Sequence, residues 1–168
     1  MEHILIPEKR AALLDQKSLK KLSARLNCRI ALEGNDVSVD GDPFSEYNAK
    51  NVIQAFGRGF EAEKCYKLLN DDIFFQTINI KDIFRSREQI ARVKSRVIGS
   101  EGRAKEYIES ISGADIAIFG GTVSAIGRAD ELKVAEAGIQ ILIGGGTHKS
   151  AYRAMELEKR KLRDERNG

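Results

Sequence analysis

The chain carries one sequence pattern twice, at an offset of 86 residues. Residues 29–32 of the first copy align with residues 115–118 of the second, and Gly34 and Gly41 align with Gly120 and Gly127 without a gap. An ungapped match of this length indicates a duplicated unit rather than one continuous domain. We therefore predict two units, residues 1–70 and 71–168, in a chain long enough for two small domains.

Both units have the same predicted element order, β-α-α-β-β-α, so the predicted fold class is α+β. In the second unit, Ile90, Val93 and Val97 follow helical spacing, and a second helical stripe runs from Ala104 to Ile111. The remaining predicted elements are strands at 74–80, 116–118 and 123–126 and a helix at 132–142 in the second unit, with strands at 3–6, 30–32 and 37–39 and helices at 19–26 and 49–56 in the first.

The loop between the first two helices of the second unit reads Gly99-Ser100-Glu101-Gly102. Glycine has no Cβ, so a Gly-x-x-Gly loop allows another backbone, such as a phosphodiester strand, to approach closely. The corresponding loop of the first unit is residues 13–16, which contains no glycine and carries Asp15, a group that would repel a phosphate. We therefore predict that the second unit binds a nucleic-acid strand and that the first acts as a scaffold.

Positive charge is concentrated around this loop. The segment from Arg85 to Lys105 contains seven Lys and Arg residues and two Glu residues, whereas the whole chain has a net charge of only +3. A local excess of this kind attracts phosphates through counterion release. A solvated helix face would have the same composition, and the loop within the segment is what favours the binding interpretation.

Two glycines between the first two helices of a β-α-α-β-β-α unit resemble the type I KH domain, here in tandem with three-stranded sheets covered by helices on one face. The bridge at 56–60, the segments 63–64 and 68–72, the run 92–99 and the terminal segment 151–156 resemble archaeal tandem KH-domain proteins of small-subunit rRNA processing. That group is related to the eukaryotic KH partner of the Nob endonuclease and is Krr/Dim-like. The resemblance covers nearly the whole chain.

The resemblance implies which residues bind RNA. In a KH fold, the glycine loop and its flanking cations lie against the RNA backbone, while apolar side chains form a floor under roughly four splayed bases. The implied RNA-binding residues are Arg96, Ile98, Gly99, Ser100, Glu101, Gly102, Arg103, Lys105, Ile116 and Ile118. For the three isoleucines, plain core packing is the alternative.

The resemblance also implies a biological role. The expected role is that of a cytoplasmic ribosome-assembly factor that binds single-stranded small-subunit pre-rRNA near its 3′ end and assists its processing. The implied protein partners are a Nob-type endonuclease and the alpha subunit of translation initiation factor two. The alternatives are a KH subunit of another RNA-processing or translation complex and a protein-interaction scaffold without direct RNA binding.

No pattern in the sequence indicates an enzyme, a metal site or a cofactor. His3 and His148 are isolated, and the run at 144–150 has His148 where a phosphate-binding loop needs glycine before its lysine. Cys28 and Cys65 each lie among apolar residues and are predicted to be buried, reduced thiols of an intracellular protein. No apolar run approaches the roughly 20 residues of a membrane span, and the start does not resemble a signal peptide.

Overall fold

The computed structural model describes residues 1–168 and divides into two compact units, Met1–Asn70 and Asp71–Gly168. The α+β class predicted from the sequence is confirmed, because each unit contains one three-stranded antiparallel sheet and several helices. No helix is both long enough and apolar enough to cross a bilayer.

The first unit follows the predicted β-α-α-β-β-α order, with its first helix reduced to a single turn. Its elements are β1 (Glu2–Leu5), α1 (Glu8–Ala11), α2 (Gln16–Leu26), β2 (Arg29–Glu33), β3 (Asp36–Asp40), α3 (Pro43–Gly57), α4 (Ala62–Cys65) and a 3-10 turn (Tyr66–Leu69). β3 lies between β1 and β2 and pairs antiparallel with both. Asp42 caps the start of α3 by accepting a hydrogen bond from the Ser45 amide.

Arg10 fixes the end of α3 in this unit. Its guanidinium donates to the carbonyls of Phe56 and Phe60 at 2.8 Å each and lies 4.4 Å from the Phe56 ring centre. Cys28 and Cys65 are both buried free thiols, as predicted. Burial raises the pKa of the Cys65 thiol to about 12, so this thiol stays protonated and packs as an apolar group.

The second unit repeats the order and adds one long helix. Its elements are β4 (Phe74–Asn79), a 3-10 turn (Ile80–Asp82), α5 (Arg87–Ile98), α6 (Arg103–Ser112), β5 (Asp115–Phe119), β6 (Thr122–Gly127), α7 (Ala129–Ile143) and α8 (His148–Asn167). β6 lies between β4 and β5, which is the same strand order as in the first unit. The predicted strand at 74–80 ends at Asn79, because Ile80 turns inward and is fully buried.

The helices α5 to α8 and one face of the sheet enclose the core of the second unit. Val97, Ile108, Leu142 and Met155 each have essentially no exposed surface. The last helix, α8, is largely exposed, but one face of it packs on this core. Ala151 and Met155 on that face are fully buried, because they pack with α7 and complete the core.

Glycine and threonine residues separate α7 from α8. The backbone N–H of Gly144 returns to the carbonyl of Gln140 and ends α7, and Thr147 Oγ1 accepts from the Ser150 amide and begins α8. The run at 144–150 is therefore a helix end followed by a helix start.

Candidate nucleic-acid interface

The loop between α5 and α6 is a single tight turn that most residues could not form. Gly99 has φ 76° and ψ 172°, a backbone region that is essentially restricted to glycine. Glu101 and Gly102 then adopt left-handed conformations, with φ values of 55° and 75°. Because both ends of the turn need positive φ, the spacing of the two glycines follows from the geometry of the turn.

The two glycines differ in what surrounds them. A Cβ on Gly99 would lie 2.6 Å from the Ala104 Cβ and 2.7 Å from the Ala104 backbone nitrogen, so the missing side chain lets α5 and α6 approach each other. A Cβ on Gly102 would meet no atom within 4 Å. Gly99 is therefore required for packing inside the unit, whereas Gly102 leaves the backbone open to a ligand from outside.

The charges on the loop partly neutralise each other. Arg103 Nη2 lies 3.3 Å from Glu101 Oε2, and both side chains are at least three-quarters exposed. Lys105 Nζ lies 3.3 Å from Glu109 Oε1, and the other oxygen of this carboxylate accepts a hydrogen bond from the Ile116 amide. Exposed pairs of this kind are weak, so a phosphate can compete for Arg103.

A groove of about 470 Å³ runs along α5 beside the loop. Its apolar floor includes Ile90 and Ile98, both half-buried. Three cationic side chains and no acidic one line it, namely Lys81, Arg87 and Lys94. An apolar floor with a cationic rim suits bases that stack on the floor while their phosphates stay at the edge.

The turn between β5 and β6 forms the other wall of the groove. Gly120 and Gly121 line this wall, and a Cβ on Gly121 would lie 2.7 Å from the Lys81 Cε. The missing side chain therefore allows the aliphatic stem of Lys81 to lie across the turn. This contact holds the Lys81 amine beside the groove.

The structure divides these predicted site residues between the groove and the core. Ile98 and the loop residues Gly99, Ser100, Glu101 and Gly102 lie at the groove or beside it. Ile116 is only 2% exposed and belongs to the core, so its assignment to an open groove floor is corrected, and Ile118 is half-buried against the same core. These isoleucines alternate with other residues on a strand whose inward face the helices cover.

Arg96 also has a structural role that the sequence did not indicate. Its Nε donates to the carbonyl of Leu142 at 3.1 Å, and its Nη2 donates to the carbonyl of Gly146. Nε2 of His148 lies 2.8 Å from the carbonyl oxygen of Arg96 itself. Two guanidinium donors are thus committed to the end of α7 and the loop that follows it, and Arg96 is a poor candidate for the main phosphate contact.

Five groove residues were not predicted from the sequence, namely Lys81, Ile90, Ala91, Gly120 and Gly121. The helical spacing places Ile90 in one stripe with Val93 and Val97, which are only 6% and 0% exposed. A signal was present, because Ile90, Lys94 and Ile98 recur every four residues and so share a face of α5 with the loop at its end.

The corresponding loop of the first unit has a different structure. Asp15 begins α2 by accepting a hydrogen bond from the Ser18 amide at 2.8 Å, and Leu14 is buried at 8% exposure. Ala12 keeps a right-handed helical conformation, and residues 12–16 contain no positive φ. This loop therefore lacks the glycine turn that opens the backbone in the second unit.

Comparison with known proteins identifies the family. Residues 74–160, just over half of the chain, match the model for the second KH domain of PNO1, described as a eukaryotic type KH-domain (KH-domain type I). The chain belongs to this KH-domain family. The matched region runs from β4 into α8, so it includes the loop and both walls of the groove.

Relatives extend the likeness to both units. A KH domain-containing protein of Methanocaldococcus jannaschii is 33% identical over 135 residues, which cover 75% of this chain and 60% of that relative. The chain thus spans less than two thirds of the length of this curated relative. The crystal structure of Dim2p from Pyrococcus horikoshii superposes with a TM-score of 0.83 at 32% identity, covering 92% of this chain and 97% of that one.

Two further solved structures are similar. A chain in the a/eIF2alpha-aDim2p-rRNA complex from Pyrococcus horikoshii has a TM-score of 0.85 at 30% identity, covering 95% of this chain and 94% of that one. A protein of unknown function from Aeropyrum pernix has a TM-score of 0.89 at 24% identity, covering 99% and 94% respectively, and shows the fold alone.

Proposed function

We propose that this protein is an RNA-binding ribosome-assembly factor whose second unit holds single-stranded rRNA in the groove along α5. The observation that carries the proposal is the combination of an open glycine backbone at Gly102 with an apolar floor and three unopposed cations. A strand can lay its phosphates against the loop and its bases on Ile90 and Ile98. The solved complex of a similar chain with rRNA supports this assignment.

The family suggests a more specific role for the protein in ribosome assembly. The proposed ligand is the small-subunit rRNA precursor near its 3′ end, and the protein assists processing there without catalysing it. The alpha subunit of initiation factor two is a proposed partner, supported by the a/eIF2alpha complex of the similar chain. We also propose a Nob-type endonuclease as a second protein partner and the cytoplasm as the location of the protein.

The groove is tested by a double variant, Lys94→Gln with Ser100→Asp. It removes one groove cation and places one anion on the loop, and we expect binding to single-stranded 3′-end rRNA to weaken roughly tenfold or more. Fluorescence anisotropy titration measures the affinity, and circular dichroism verifies folding.

A matched control is available in the first unit. Leu13→Asp with Lys17→Gln changes the net charge by the same amount at exposed positions around the equivalent loop. Leu14 is unsuitable for this purpose because it is buried. The control should retain most of the affinity. An equal loss in the two variants would show that overall charge, and not the groove, determines binding, and unchanged affinity in the groove variant would contradict the proposed site.

A further inference from the structure

The helix α8 carries cations along one exposed flank over its whole length. Seven Lys and Arg residues and four Asp and Glu residues occur between His148 and Asn167. Five of the cations fall within about 120° of the helix circumference at 3.6 residues per turn. This basic face of α8 consists of Lys149, Arg153, Lys159, Arg160 and Arg163, all of them exposed.

Acidic residues are mostly kept off this face. Glu156 is the one acid within the arc, and its carboxylate accepts a hydrogen bond from the Tyr107 hydroxyl at 2.9 Å. That hydrogen bond is the main cause of the raised pKa of Tyr107. Arg166, beside the arc, pairs with Asp130 at 3.7 Å. Around Lys159, Arg160 and Arg163 the long side chains enclose a surface depression of about 420 Å³.

Helix stability does not account for the positions of these cations along α8. The helix macrodipole favours cations only in the last turn, where Arg166 is the basic residue, and disfavours them in the first turn. Lys149 lies in the first turn of α8 and Arg153 in the second, and the first turn contains no acidic residue. A row of cations that disregards the dipole is better explained by an external polyanion.

The basic face begins at the same end of the unit as the glycine loop. His148 contacts the Arg96 carbonyl, three residues before Gly99. The Tyr152 ring lies 3.9 Å from the Tyr107 ring, centre to centre, which fixes the start of α8 against α6. The buried Ala151 and Met155 anchor the first half of α8, and the half-buried Leu162 packs against the same core beside Arg163.

We propose that the basic face of α8 is a second RNA-contact surface that binds the sugar-phosphate backbone of the strand beyond the groove. The inference rests on the proposed function, because it assumes that the same RNA occupies the groove. The five cations spread over about 21 Å of the helix axis at 1.5 Å per residue, long enough to meet several phosphates of such a strand, and contacts to phosphates need no particular base sequence. α8 therefore adds affinity and salt dependence, and the groove supplies base recognition.

The test uses the full chain and two RNAs from the same 3′-end sequence. One has about six nucleotides, just longer than the four that a KH groove holds. The other has about 20 nucleotides, enough to extend along the roughly 30 Å of α8. The variant is Lys159→Gln with Arg160→Gln and Arg163→Gln. The matched control is Lys17→Gln with Lys20→Gln and Lys21→Gln, which removes three exposed cations from α2.

We expect the α8 variant to bind the long RNA roughly 30- to 100-fold more weakly at about 0.1 M salt, because each single-strand phosphate contact contributes about 0.7 to the salt slope. The slope itself should fall by about 2. Binding of the short RNA should be unchanged. A loss no greater than in the α2 control, or an equal loss for both RNAs, would overturn the inference, and α8 would then be free to serve an acidic protein partner.

The groove variant Lys94→Gln with Ser100→Asp separates this failure from failure of the proposed function. It should weaken the binding of both RNAs. If it changes neither affinity while the α8 variant weakens long-RNA binding, the groove assignment is wrong and α8 alone binds RNA. If neither variant changes any affinity, both proposals are overturned.

Discussion

Two glycines bound the loop between α5 and α6, and each is required for a different reason. Gly99 occupies a backbone region nearly restricted to glycine and is in close contact with Ala104. Gly102 is left-handed but faces open space. The Gly-x-x-Gly motif does not distinguish the two positions. In the structure, Gly99 is needed for folding and Gly102 leaves the backbone accessible to a ligand.

Alanine substitutions distinguish the two roles. We expect Gly99→Ala to lower the free energy of unfolding by about 3 kcal/mol, because backbone strain adds to the clash with Ala104. Gly102→Ala should lower it by only about 1–2 kcal/mol, which is the cost of a left-handed alanine. Urea denaturation followed by circular dichroism measures both. Equal losses would contradict the different packing of the two positions.

At the scale of elements, α7 and α8 pack closely at one glycine. Gly138 on α7 faces Met155 on α8, and a Cβ on Gly138 would lie 2.5 Å from the Met155 sulfur. Met155 has no exposed surface and cannot move aside freely. Because Gly138 has no side chain, α8 can pack closely against α7. This contact positions the basic face of α8.

The substitution Gly138→Ala tests this contact. Alanine would favour the helix by about 0.5–1 kcal/mol over glycine. Overpacking against Met155 should exceed that gain, and we expect a net loss of about 1–2 kcal/mol in the free energy of unfolding. Gln140→Ala, on the exposed side of α7, is the control and should change stability by less than about 0.5 kcal/mol. A stabilised Gly138→Ala variant would show that α8 does not pack tightly here.

At the scale of the whole molecule, the two units differ in the pKa shifts of their carboxylates. The carboxylates whose pKa is lowered by hydrogen bonds all lie in the first unit. Asp15 accepts from the Ser18 amide, Asp42 from the Ser45 amide, and Glu46 from the Gly41 amide. A lowered pKa means that the unfolded chain binds protons at a higher pH than the folded one.

Acid should therefore destabilise the first unit. The stabilisation from these carboxylates is fully present near neutral pH and is lost below about pH 5, as the pH falls through their pKa values. In ¹⁵N-resolved NMR spectra recorded from pH 6 to pH 3, folded amide signals of residues 1–70 should disappear at a higher pH than those of residues 71–168. Loss of the second unit's signals first would contradict this expectation.

The sequence by itself determined the duplicated β-α-α-β-β-α pattern and the position of the glycine loop. Apolar periodicity and glycine spacing are local properties, so they can be read along the chain. It could not determine which isoleucines face the groove, because Ile98 and Ile116 are equally apolar and only the tertiary packing buries the second. The carbonyl partners of Arg96 lie 46 and 50 residues away along the chain, and its role depends on the fold that brings them near. Tertiary packing likewise decided that α8 buries one face and exposes its cations, since neighbouring elements determine which side of a helix meets water.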